Sequence, residues 1–191
     1  EELFLMNGFK TMFSSKLVSI ISEWLNQQFM VIYRSDAMQL IRKFTDPKKK
    51  SIYVEKTLTE AAKTFGIIIF SLGYVVDGDN TEANLCSIFE SDGKAIPAEL
   101  FESYGTIRFV NMFPLVVNAL MNGSTLVVDE FDASLHPMAL MNIINIFHND
   151  EVNIHHAQLI FNTHNPIFLN TNLFRRDEIK FVERDEETHC S

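Results

Sequence analysis

The segment "STLVVDEFDASLHP", residues 124–137, constrains this chain more than any other. Its first half is apolar and β-branched, which suits a buried pleated strand. The strand runs directly into Asp129 and Glu130, and Asp132, Ser134 and His136 follow within a few residues. Carboxylates are costly to bury without partners, so such a strand must end where its acids meet water or a ligand. A second segment, "AQLIFNTHN" at 157–165, repeats the arrangement and ends in Thr163 and His164. Open α/β sheets bind ligands outside the carboxyl ends of their strands. As parallel neighbours, the two segments would place Asp129, Glu130 and His164 on one rim. The plainer alternative is helix capping, for which Asp132 and Ser134 are suitable.

The surrounding pattern supports an α/β fold. "IRFVNMFPLVVNALMN" (107–122) reads as a helix despite Pro114, and "HPMALMNIINIFHN" (136–149) as a helix with Pro137 in its first turn. "EIKFVERD" (178–185) reads as a third strand. Apolar strands alternating with helices predict a parallel or mixed sheet with covered faces.

Upstream, "KLVSIISEWLNQQFMVIYR" (16–34) has helical spacing from Leu17 to Phe29, and "DAMQLIRKF" (36–44) could continue it. "TDPKKKS" (45–51) is a break, and "SIYVEKTLTEAAKTF" (51–65) reads as a helix capped by Gly66. "GIIIFSLGYVV" (66–76) and "ANLCSIFE" (83–90) read as a β-hairpin, followed by a turn at 91–96. The expected organisation is a helical insertion over 1–65, a β-hairpin connection over 66–97 and an α/β lobe over 98–191.

Composition narrows the function classes. The net charge of -9 argues against charge-driven binding to nucleic acid or anionic membrane. Cys86 and Cys190 are far apart and form no CxxC, which fits a reducing cytoplasm rather than a disulfide scaffold. No apolar run reaches the roughly 18–20 residues that span a bilayer. The 17 Phe and 8 Met fall mostly at helix or strand spacing, as core residues do. His148, His155 and His156 match no tight metal-ligand spacing and read as a solvated loop, and the "PKKK" turn as a solvated one.

With these residues in view, a resemblance emerges. "TLVVDE" looks like a Walker B strand with its catalytic glutamate, "FDASLHP" like the D-loop after it, and "LIFNTHN" like a switch-histidine strand. "ESYGT" (102–106), ahead of a helix, resembles the signature motif of ABC-type ATPases. The form is that of bacterial AAA-family ATPases of abortive infection and phage defence, related to the SMC, RecF and OLD-type ATPases. The resemblance covers 98–185 and is less specific upstream. It implies an α/β fold, the C-terminal lobe of an ABC-type P-loop ATPase with an N-terminal helical insertion.

The same resemblance implies roles. Asp129 would be linked to Mg2+, Glu130 would activate or position water, and His164 would contact the γ-phosphate of ATP. Ser103, Gly105 and Thr106 would meet the nucleotide of a second subunit. A glycine-containing turn at a helix N-terminus offers N–H groups and a positive dipole end to such an anion. Tyr104 departs from the small residue common in such signatures. Ser134 and His136 would lie at the interface of a homodimer formed through signature motif and D-loop. An effector protein is a further partner, and DNA or RNA one that the charge does not indicate.

The main departure is that GxxxxGK[ST] occurs nowhere in the 191 residues. The expectation is therefore a fragment beginning after the P-loop, which alone binds ATP weakly or not at all. Two rival functions stay open. One is a metal-dependent phosphohydrolase or nuclease built on Asp129, Asp132, His136 and His164. The other is a non-enzymatic interaction domain worked by the N-terminal part.

Overall fold

The computed structural model describes residues 14–33, 42–43, 51–53, 56–64, 72–76, 82–89, 94–133 and 135–183. Its centre is a parallel sheet of three strands in the order β1-β7-β8. β1 is Phe29–Ile32, β7 Thr125–Val128 and β8 Gln158–Phe161. Val128 lies beside Ile32 on one side and Phe161 on the other, and Leu126 lies beside Met30 and Leu159. Because side chains alternate across a strand, these two rows point to one face. That face is the core: Leu126 is 0% and Val128 1% exposed.

The first strand corrects the helical reading of 16–34. Helix α1 is Ser15–Gln27, started by the Ser14 hydroxyl, which accepts from the Leu17 N–H at 3.3 Å. It stops at Gln28, and Phe29–Ile32 enters the sheet beside β7. Pairing with a strand nearly a hundred residues later overrides the helical spacing of Phe29. The proposed strand at 178–185 is also corrected. A short 3-10 turn covers Arg176–Glu178 and residues 179–183 take no strand, with Phe181 and Val182 largely exposed.

Two helices cover the core face. Helix α4, Tyr104–Asn122, packs on β7, and helix α5, Pro137–His148, packs on β8. From α4, Phe109, Met112 and Val116 are fully buried, and from α5, Leu140 and Ile143. α4 continues through Pro114 and ends at Gly123, whose φ of 64° is the left-handed conformation that glycine adopts without strain. A Cβ there would also stand 2.5 Å from the His155 carbonyl oxygen. The opposite sheet face does not match the expectation of two covered faces. Its row Val31, Val127 and Ile160 leaves Val31 39% and Ile160 52% exposed.

A second sheet is antiparallel. β4 (Leu72–Val76) and β5 (Glu82–Phe89) form the expected pair. β3 (Ser51–Tyr53) adds beside β4. The other edge of β5 is shared by β2 (Arg42–Lys43) and β6 (Lys94–Pro97). Strands thus replace the expected helix at 42–43 and at 51–53, and the expected turn from 94 onward. Helix α2, Lys56–Thr64, keeps the second half of its predicted span and packs on α4. The predicted cap Gly66 lies outside the described residues. β6 leads through the single-turn helix α3, Ala98–Phe101, to the start of α4. Phe101 stacks edge-on against Phe89 at 4.8 Å, and the buried Ser87 hydroxyl donates to Glu102 at 3.2 Å.

Candidate functional site

Val128 is buried, Asp129 is half-buried, Glu130 is exposed, and Phe131 is again fully buried. Phe131 rests against Phe161 of β8 at 4.8 Å, within an aromatic cluster that continues to Phe168 and Phe174. The chain must therefore reverse within one residue to return Phe131 to the core, and Glu130 does so with a φ of 50°. That left-handed conformation costs a non-glycine residue about 1–3 kcal/mol.

Two side chains from distant elements meet the bend. The Glu130 N–H donates to Asn162 Oδ1 at 2.5 Å, and Asn162 Nδ2 donates to the Asp129 carboxylate at 2.7 Å. On the other side, Arg108 Nη2 donates to the Glu130 carbonyl at 2.7 Å and reaches the Phe131 carbonyl at 3.4 Å. Asn162 follows β8 directly, and Arg108 sits in the second turn of α4, 3% exposed. A hydrogen bond from a charged donor is worth about 1.5–3 kcal/mol, which is enough to offset the bend.

The predicted site residues fall as follows. Asp129 and Glu130 lie at the carboxyl end of β7, and His164 lies three residues beyond β8, exposed, on the parallel neighbour. Ser103 caps α4: its hydroxyl accepts from the Thr106 N–H at 3.1 Å and shares a 2.8 Å hydrogen bond with the Thr106 hydroxyl. Tyr104 and Gly105 form the first turn, with Tyr104 exposed. His136 caps α5 through Nδ1, which accepts from the Met138 N–H at 3.2 Å. The cap expected from Asp132 or Ser134 is thus supplied by His136. Ser134 lies outside the described residues. Among the described residues no three His, Cys, Asp or Glu side chains gather as a metal-binding group. The set Asp129, Asp132, His136 and His164 does not come together in that way.

Sequence reasoning missed Arg108 and Asn162. The signal for Arg108 was there, as the lone charge in the apolar run "IRFVNMFPLVV". Asn162 stands inside "FNTHN", where nothing local distinguishes it from Asn165.

A family profile described as "AAA domain, putative AbiEii toxin, Type IV TA system" matches residues 22–170. The chain belongs to that family. No curated protein and no solved structure matches it. The match runs from α1 past β8, so it takes in the parallel sheet, α4, α5 and both acids. An AAA domain of this abortive-infection group has a nucleotide-binding, ATPase-like function and in general uses nucleotide with Mg2+. The donor set fits that use. A half-buried carboxylate oriented by Asn162 suits a hard cation that prefers oxygen ligands, and the capped N-terminus of α4 suits an anion. No described helix of this AAA domain is long and apolar enough to cross a membrane.

Proposed function

We propose that the chain is the C-terminal part of an ABC-type ATPase of the SMC, RecF and OLD-like kind, a cytoplasmic, nucleotide-dependent dimerising module of a bacterial defence protein. The observation that carries this reading is the rim of the parallel sheet. Asp129 and Glu130 end β7, His164 follows the parallel neighbour β8, and Asn162 binds both acidic residues between them.

In this reading Asp129 holds Mg2+ and Glu130 orients the attacking water and takes its proton. His164 hydrogen-bonds the terminal phosphate. Bound Mg2+ supplies neutralisation of the phosphate charge. Ser103, Gly105 and Thr106 present the start of α4 to the nucleotide of a second subunit, with Ser134 and His136 along the same interface. The division into an insertion over 1–65, a connection over 66–97 and an ATPase lobe over 98–191 belongs to this proposal.

The phosphate-binding loop is then supplied by sequence outside these 191 residues, which contain no GxxxxGK[ST]. Titration calorimetry on the 191-residue chain should give weak or undetectable ATP binding. Tight, Mg2+-dependent binding would contradict that part of the reading. In the full-length protein, Glu130→Gln should keep ATP binding and accumulate an ATP-dependent dimer in light-scattering measurements. A variant that stays monomeric with ATP bound would argue against the dimerising module.

A further inference from the structure

We propose that Arg108 and Asn162 are positioning residues that clamp the two peptide groups of Glu130 and so aim its carboxylate. The inference rests on the reading of Glu130 as the water-positioning residue and adds the residues that hold it.

Glu130 is exposed and left-handed, with φ 50°, a conformation an ordinary side chain leaves when nothing fixes it. Asn162 fixes the peptide before it by accepting from the Glu130 N–H, and at the same time donates to the Asp129 carboxylate. Arg108 fixes the peptide after it by donating to the Glu130 carbonyl and on to Phe131. The three elements involved, α4, β7 and β8, are the packed core of the lobe. Arg108 lies within α4, and Asp129 and Asn162 are the residues that directly follow β7 and β8, so the clamp is tied closely to packed elements.

Holding the bend does not by itself require a guanidinium, and Arg108 is only 3% exposed. A buried cation carries a desolvation cost, and replacing buried charge with apolar side chains is often neutral or stabilising. What an apolar residue cannot do is donate to the Glu130 and Phe131 carbonyls, as Arg108 Nη2 does. Arg108 also lies only two residues beyond Thr106, the partner of the Ser103 cap. The start of α4 and the bend at Glu130 are thereby joined through one buried side chain. A displacement of the first turn of α4 would act directly on the Glu130 carbonyl.

The test uses the full-length protein with Arg108→Met, Arg108→Lys and Asn162→Ala, and Glu130→Gln as the reference. Misplacing a reacting group by about 1 Å can cost about 100-fold in rate. Arg108→Met and Asn162→Ala should therefore lower kcat about 10- to 100-fold with KM for ATP near the wild-type value. Arg108→Lys, which keeps a cationic donor nitrogen without the planar guanidinium, should recover part of that loss. A second readout needs no nucleotide: amide hydrogen exchange at Glu130 should be faster in Asn162→Ala than in the wild type. Should Arg108→Met fail to fold, the Asn162 variant at an exposed position decides. Wild-type kcat and wild-type exchange in Asn162→Ala, with Glu130→Gln inactive, would overturn the clamp and leave the role of Glu130 standing. Wild-type hydrolysis by Glu130→Gln would remove the role of Glu130 and the clamp with it.

Discussion

At the scale of single residues, the buried polar side chains matter for the backbone groups they satisfy. Asn153 is the plainest case. It is 5% exposed, its amide donates to the carbonyls of Phe147 and Ala157, and its oxygen accepts from the Ala157 N–H. These bonds close the "HNDEVNIHH" loop on itself, which gives that histidine-bearing segment a structural account. Asn153→Ala strands buried backbone groups, each worth about 1–3 kcal/mol. Urea denaturation should show a loss of about 2–4 kcal/mol, and an unchanged midpoint would refute the account. The position of Asp129 and Glu130 at a strand end was legible in the sequence because a hydrophobic strand running into two acids is a local pattern. Arg108 showed only as a lone charge in an apolar run and Asn162 not at all, because their partners lie 22 to 33 positions away. Only the fold brings them to the bend.

At the scale of elements, α4, β7, α5 and β8 follow the sequence pattern closely. Each has its own signal: Ser103 and Gly123 bound one helix, His136 and Pro137 start the other, and the apolar runs mark the strands. β1 was hidden because four residues are too short for periodicity to separate a strand from the last turn of a helix. β2 and β3 were hidden for the same reason, being two and three residues long. Sheet placement also sorts substitutions that look alike in the sequence. Leu126 is 0% exposed at the centre of β7, whereas Ile160 is 52% exposed on β8. Leu126→Ala should cost about 2–5 kcal/mol through lost burial and the cavity it leaves. Ile160→Ser should change stability by only about 0.5 kcal/mol. Chemical denaturation of the pair checks this, and equal losses would show that the outer face is covered.

At the scale of the whole molecule, α4 is the member that joins the two sheets. Its N-terminus follows the antiparallel sheet through α3, with Glu102 bonded to Ser87, and its body forms the floor under β7. The signature-like turn is therefore bounded by one sheet and the acids by the other, with Arg108 between them. The family assignment gives this arrangement its ATPase-like setting. The order of α4, β7, α5 and β8 along the chain was legible because each element is contiguous in the sequence. The separation into a parallel and an antiparallel sheet was not, since it depends on which distant edges pair.

Under the proposed function, Glu130 acts on water at the rim of the parallel sheet. Single-turnover ATP hydrolysis by the full-length protein tests it most directly, comparing wild type with Glu130→Gln at saturating ATP and Mg2+. Removing a general base costs about 100- to 10,000-fold. The expected result is a loss of that size in the chemical step with ATP binding retained. Hydrolysis at the wild-type rate would contradict the account.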